Sequence, residues 1–161
     1  MSRTFTIEVA KDYFNFASAH FLIFANGKRE PLHGHNYQVS VRLEGELDRA
    51  GVVLDFITFK PVVKRICDSL DHRTMIQSKS PILKLRQRAK EIEVRYKTQK
   101  IILPKSDVIL LPLANTSTEL LAEHVEPEEA QCGEQPALVG DAVGHDDVVS
   151  ADAVCGYDQE G

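Results

Sequence analysis

The stretch His33-Gly34-His35-Asn36-Tyr37-Gln38-Val39-Ser40-Val41-Arg42-Leu43-Glu44 decides the fold. Tyr37, Val39, Val41 and Leu43 are apolar, and Gln38, Ser40, Arg42 and Glu44 between them are polar. Alternation of period two is the pattern of a half-buried strand, here over residues 35–47. Upstream, residues 4–22 repeat β-branched and aromatic side chains: Thr4, Phe5, Thr6, Ile7, then Tyr13, Phe14, Phe16 and Phe21. They read as one long strand with room for a bulge, antiparallel to the next. The loop between them is marked by Asn26-Gly27 and Pro31.

Working outward, Phe59, Val62, Val63, Ile66 and Leu70 recur at helical spacing and predict a helix over 56–70. Asp55 or Thr58 can cap it, and Pro61 favours Thr58, because proline is best tolerated in the first turn. Ile92, Val94 and Tyr96 alternate within a hairpin near 91–103, and Val108-Ile-Leu-Leu111 reads as a short buried strand. Thr116-Ser-Thr-Glu119 has the form of a capping box opening a second helix, with Glu119 as its third-position carboxylate. The class is therefore α+β.

The chain has 161 residues, enough for one domain with a core. Its three cysteines, Cys67, Cys132 and Cys155, form no CxxC pair and argue against a disulfide framework. No run reaches the roughly 18 to 20 apolar residues of a membrane span, and the N-terminus lacks a secretory pattern, so a cytoplasmic location is expected. Charge divides the chain in two. Ten of the 24 acidic residues lie from Glu126 onward, with no Lys or Arg, which leaves residues 1–125 at a net +5. A mildly basic body suits a small anionic substrate, and with no basic stripe interleaved with aromatics no nucleic-acid partner is expected. Residues 126–161 show no readable element and are expected to be a poorly structured acidic tail.

Histidines two apart on a strand share a face, so His33 and His35 can ligate one ion, with Gly34 letting the backbone pass close by. His20, just before the loop on the neighbouring strand, is placed to be the third ligand. Three imidazoles on Zn²⁺ leave the fourth position open, the arrangement of catalytic zinc. The competing bland reading makes the pair a polar loop end and His20 a satisfied core histidine. Asp71 beside His72 at a helix end can orient the ring as a general acid/base couple, although a helix C-terminus favours histidine in any case. Glu30, three residues before His33, can act as a base near a metal, or is an exposed loop charge. Glu119 can serve the helix cap or hold an amidine-like heterocycle edge. Lys28 and Arg29 can meet a phosphate group, or are simply solvated.

Phe16-Ala17-Ser18-Ala19-His20, His33-Gly34-His35-Asn36-Tyr37, Val53-Leu54-Asp55-Phe56, Leu70-Asp71-His72 and Pro112 through Thr118-Glu119 together resemble the 6-pyruvoyl-tetrahydropterin synthase family, which includes the 6-carboxy-tetrahydropterin synthases. The resemblance covers about residues 5–125. It implies a tunnelling fold: a four-stranded antiparallel sheet with two helices on one face, here with an extra hairpin near 91–103. It also implies assembly into a homo-oligomer, trimer or hexamer, with active sites at interfaces. It makes His20, His33 and His35 the zinc ligands, Asp71 and His72 the proton-transfer couple, and Thr118 and Glu119 part of the pterin anchor.

Two departures stand out. The loop before His33 lacks the family's catalytic cysteine and carries Glu30 instead, the E-x-x-H-G-H arrangement that resembles the type III branch. That branch cleaves 7,8-dihydroneopterin triphosphate to 6-hydroxymethyl-7,8-dihydropterin, a folate precursor. The alternatives are a 6-pyruvoyl- or 6-carboxy-tetrahydropterin synthase, or a degenerate zinc-binding member without turnover. The second departure is the segment after Val125, where the resemblance stops. A shifted reading frame or a replaced C-terminus would explain it, and resequencing the coding DNA tests that.

Overall fold

The computed structural model describes residues 3–125 and 148–155. Strand β1 (Phe5–His20) and strand β2 (His33–Gly45) form the expected antiparallel hairpin, paired from Phe5↔Gly45 to His20↔His33. A register shift between Ala10 and Asn15 is the bulge that the sequence allows. The chain then forms helix α1 (Phe56–Leu70), strand β3 (Arg73–Gln77), strands β4 (Lys84–Gln87), β5 (Glu91–Tyr96) and β6 (Gln99–Pro104), a single 3-10 turn, strand β7 (Val108–Leu111), helix α2 (Thr118–Val125) and strand β8 (Val148–Cys155). None of the described helices is long and apolar enough to cross a membrane.

One face of the hairpin is the main core. Tyr37, Val39, Val41 and Leu43 are buried, and Phe16 and Val9 lie opposite Tyr37 and Val41 on β1. Phe59, Val63 and Leu70 of α1 and Leu121, Ala122 and Val125 of α2 join the same cluster, so both helices cover this face. A second core lies on the other face. There Phe21, Ile76 and Val108 pack against Ile92 and Val94 of the small antiparallel sheet β4-β5-β6.

The main sheet departs from expectation. It has five strands in the order β7-β3-β1-β2-β8, and only β1–β2 is antiparallel. β1–β3, β3–β7 and β2–β8 are parallel. Parallel neighbours need a long crossover, and the segment folded as β4-β5-β6 is the crossover between β3 and β7. The predicted hairpin is thus two strands of that three-stranded sheet. Val148–Cys155 also departs from the expectation of a tail without an element, since it is a strand beside β2. The rest of 126–161 lies outside the described residues.

The cap of α1 differs as well. Asp55, not Thr58, is the N-cap, its carboxylate accepting from the Ile57 N–H at 2.9 Å. Pro61 therefore lies beyond the first turn, where its missing N–H would have bonded the carbonyl of solvent-exposed Ile57. Asp55→Ala should destabilise the fold by about 1 kcal/mol, read from a denaturant midpoint, while Thr58→Ala should cost less.

Candidate metal centre and active site

The apolar row Leu43-Val41-Val39-Tyr37 continues along β2 into His35 and His33. Directly paired residues of an antiparallel hairpin point the same way, so His20, opposite His33, joins them. Ring centroids are 4.8 Å apart for His20–His33, 5.1 Å for His20–His35 and 4.8 Å for His33–His35. One nitrogen from each ring lies within 4.8 Å of the others. A tetrahedral zinc site would hold them about 3.3 Å apart.

Hydrogen bonds select the tautomers. His20 Nδ1 lies 2.9 Å from the Thr116 carbonyl oxygen, and His33 Nδ1 lies 2.8 Å from that of Pro31. A carbonyl only accepts, so each Nδ1 carries the proton and each Nε2 presents a lone pair, the usual outer-partner arrangement of a metal-ligating histidine. His20 Nε2 is buried with no hydrogen-bond partner among the described residues. An orphaned buried nitrogen is costly, and a cation held by the three rings would satisfy it. Burial lowers the His20 pKa below its ordinary 6.5, as do His33 and His35, against the opposing pull of the Thr116 bond and the Glu30 carboxylate.

The sign of the pH effect follows. Below pH 6.5 the unfolded chain takes up a proton that folded His20 resists, so metal-free protein should lose stability as pH falls through that value. A metal held here should be released over the same range, since protons compete for the ligands. Melting curves and metal retention between pH 8 and 5 check both.

The segment before α2 fastens this end of β1. Thr116 is fully buried and its hydroxyl donates to the Phe21 carbonyl at 3.1 Å. The Asn115 amide accepts from Ile23 N–H at 3.2 Å and donates to the Ile23 carbonyl at 3.1 Å. With Thr116 so engaged, Ser117 takes the cap position, its oxygen 3.5 Å from Leu120 N. The capping box is therefore out of register by one: Glu119 is the second helical residue, and it is exposed. Thr118 and Glu119 stand on the first turn of α2, two and three residues past the carbonyl that holds His20.

Glu30 lies where β1 and β2 leave the hairpin. Its N–H donates to the Leu22 carbonyl at 2.9 Å and its Oε2 accepts from Leu22 N–H at 3.1 Å. The half-buried carboxylate is close enough to raise the His20 pKa. Arg29 points elsewhere: its guanidinium stacks over Phe21 at 5.1 Å and its Nε donates to Gln99 Oε1 at 3.1 Å. Cys67 sits fully buried in the α1 core with its thiol pushed up to about 11 by burial, which suits packing and not nucleophilic attack.

Asp71 and His72 form the expected pair, His72 Nδ1 to Asp71 Oδ2 at 2.9 Å. Asp71 Oδ1 also accepts from Ala17 N–H at 2.7 Å, and His72 N–H donates to the Ala17 carbonyl at 2.7 Å. The Ala17 bond first, and then the His72 bond, hold the Asp71 carboxyl below its ordinary range. The couple is thus tied to β1 three residues from His20, although the His72 side chain is 83% exposed. An open groove of about 440 Å³ has Ala17, Gly34, Asn36 and Arg73 in its wall, with His72 from the couple and His35 from the cluster, while Asp71, His20, His33 and Glu30 are not among its lining residues. Thr118 and Glu119 are not among its lining residues. A Cβ at Gly34 would meet the Ser18 carbonyl oxygen at 3.6 Å, an ordinary contact, so close backbone passage is not what calls for glycine there.

The family model for 6-pyruvoyl tetrahydropterin synthase matches residues 8–138. A protein of Methanocaldococcus jannaschii described as a putative 6-carboxy-5,6,7,8-tetrahydropterin synthase is 38% identical over 118 residues, 71% of each chain. The chain spans about two thirds of the length of the first curated relatives it matches. A dihydroneopterin monophosphate aldolase of Pyrococcus furiosus is 44% identical over 46 residues, 29% of this chain and 40% of that one. The crystal structure of 6-pyruvoyl tetrahydropterin synthase from Plasmodium vivax superposes with a TM-score of 0.71 at 32% identity, covering 76% of each chain. Two variants of that protein, substituted to Ala and to Cys at a glutamate, are described as catalytic residue mutants. With its three-histidine cluster at the mouth of the β1–β2 hairpin, the chain belongs to the 6-pyruvoyl tetrahydropterin synthase family.

Proposed function

We propose that this chain is a zinc-dependent lyase that cleaves the side chain of 7,8-dihydroneopterin triphosphate, giving 6-hydroxymethyl-7,8-dihydropterin. The observation that carries the reading is the buried His20 Nε2, with no partner among the described residues, in a cluster of three imidazoles, with the Glu30 carboxylate bonded two residues on at Leu22 N–H. His20, His33 and His35 would hold the zinc. When bound there, zinc supplies a Lewis acid that makes a substrate hydroxyl easier to deprotonate.

Glu30 takes the proton from a side-chain hydroxyl. The adjacent carbon–carbon bond then breaks in a retro-aldol sense, with its electron pair moving toward the pterin ring. The outer fragment leaves as an aldehyde, and the carbon retained on the pterin accepts a proton. Asp71 and His72 supply that proton: Asp71 holds His72 Nδ1 and stabilises the charged ring. Thr118 and Glu119 contact the pterin, the exposed carboxylate of Glu119 accepting from the ring's amidine edge. A glutamate described as catalytic in the Plasmodium vivax relative supports the assignment of Glu30. The exposure of His72 supports a homo-oligomer, trimer or hexamer, in which a second copy encloses the groove.

The second reading is a 6-carboxy-tetrahydropterin synthase, favoured by the description of the Methanocaldococcus jannaschii relative. Hydrazine trapping separates the two. Side-chain cleavage should release an aldehyde that still carries the substrate's phosphates, and failure to trap one would reject the first reading.

A further inference from the structure

We infer that the β5–β6 hairpin is a brace for the loop that carries Glu30, and that Tyr96 is a positioning residue for the reaction. The inference rests on the reading of Glu30 as the base. The hairpin contributes no residue to the site, yet it grips the loop at successive points just before Glu30. Tyr96, 8% exposed, donates its phenolic hydrogen to the Gly27 carbonyl oxygen. Gly27 has a left-handed backbone (φ 74°) in a turn closed by Gly27 N–H to the Phe24 carbonyl at 2.8 Å and Phe24 N–H to the Lys28 carbonyl at 2.9 Å. Two residues on, Arg29 is held by Gln99, in the strand that follows Tyr96, at 3.1 Å. Phe21 and Ile23, at the loop's start, pack in the same cluster as Ile92, Val94, Ile101 and Leu103 of the hairpin. Asn115 holds Ile23 as well, through both of its backbone polar groups. The loop is therefore held by the hairpin and by the segment before α2, and Glu30 follows directly on the last residue the hairpin holds. Small misplacement of a catalytic group is expensive in rate, so a brace of this kind acts on turnover and not on metal binding.

Tyr96→Phe removes the hydroxyl and keeps the packed ring. The zinc-loaded variant should lose about tenfold in kcat with KM and metal content unchanged. Amide hydrogen exchange of residues 24–30 should quicken in both the metal-loaded and metal-free protein, while β1 and β2 exchange as in the parent. Because Tyr96 acts through Glu30, its loss should cost nothing further in the Glu30→Gln background. Unchanged loop exchange, or a Tyr96→Phe penalty that persists in full in that background, would overturn the brace with the base reading intact. A Glu30→Gln variant that turns over like the parent would overturn the base reading, and with it the role of Tyr96 in the reaction.

Discussion

Replacing His20 with Ala should leave the purified protein with almost no bound zinc and no measurable turnover. Loss of an outer partner of a metal ligand typically weakens binding by about 10–100-fold, and loss of a ligand itself should exceed that. The fold should largely survive. The substitution removes the Thr116 bond, worth about 1 kcal/mol, but also removes a buried nitrogen that has no partner among the described residues. Metal-free His20→Ala and metal-free parent should therefore melt close together, and the gap should open only when zinc is added, because zinc stabilises only the parent. Were His20 an ordinary core histidine, the order would reverse: the metal-free fold would suffer and metal content would hold. Zinc analysis by mass spectrometry, with melting curves on both forms, separates the two.

Glu30→Gln should keep the zinc and lose activity. A positioned general base contributes about 10²–10⁴-fold, and kcat should fall within that range. The amide keeps an oxygen that can accept from Leu22 N–H, so the loop retains its local bond while the proton acceptor is gone. KM should change little if Glu30 acts on the reacting hydroxyl and not in binding. Equal metal content in parent and variant, measured on the same samples as the rates, makes the loss attributable to the carboxylate.

The clustering of the three histidines was easier to read in the sequence than the sheet that carries them. Tyr37, Val39, Val41 and Leu43 alternate because one face of β2 meets two helices, and that same period sets His33 and His35 on one side. The long strand before them has the aromatic and β-branched density of a half-buried element. β3 left no such mark: Arg73-Thr-Met-Ile-Gln77 is five residues long, begins directly after the helix end, and is buried on both faces near its end. Parallel pairing was hidden because it depends on where crossovers land, which no local pattern encodes. The two helix caps were misplaced for different reasons. At α2 several short polar residues stand side by side and a tertiary contact chooses among them: Thr116 is taken by the Phe21 carbonyl, which leaves the cap to Ser117. At α1 the position of Pro61 drew the cap toward Thr58, whose hydroxyl instead donates to the Asp55 carbonyl while the Asp55 carboxylate accepts from Ile57 N–H. The outer partners of the histidines, the Thr116 and Pro31 carbonyls, are backbone atoms and carry no signature in residue type. The bracing role of Tyr96 was invisible for a similar reason, since its hydroxyl meets a glycine carbonyl distant in the chain.

The most direct test is the identity of the pterin product. The zinc-loaded protein, incubated with 7,8-dihydroneopterin triphosphate, should yield 6-hydroxymethyl-7,8-dihydropterin by mass spectrometry, and Glu30→Gln should yield it far more slowly. A 6-carboxy or 6-pyruvoyl tetrahydropterin as the main product, or unchanged substrate with one zinc bound per chain, would contradict the account.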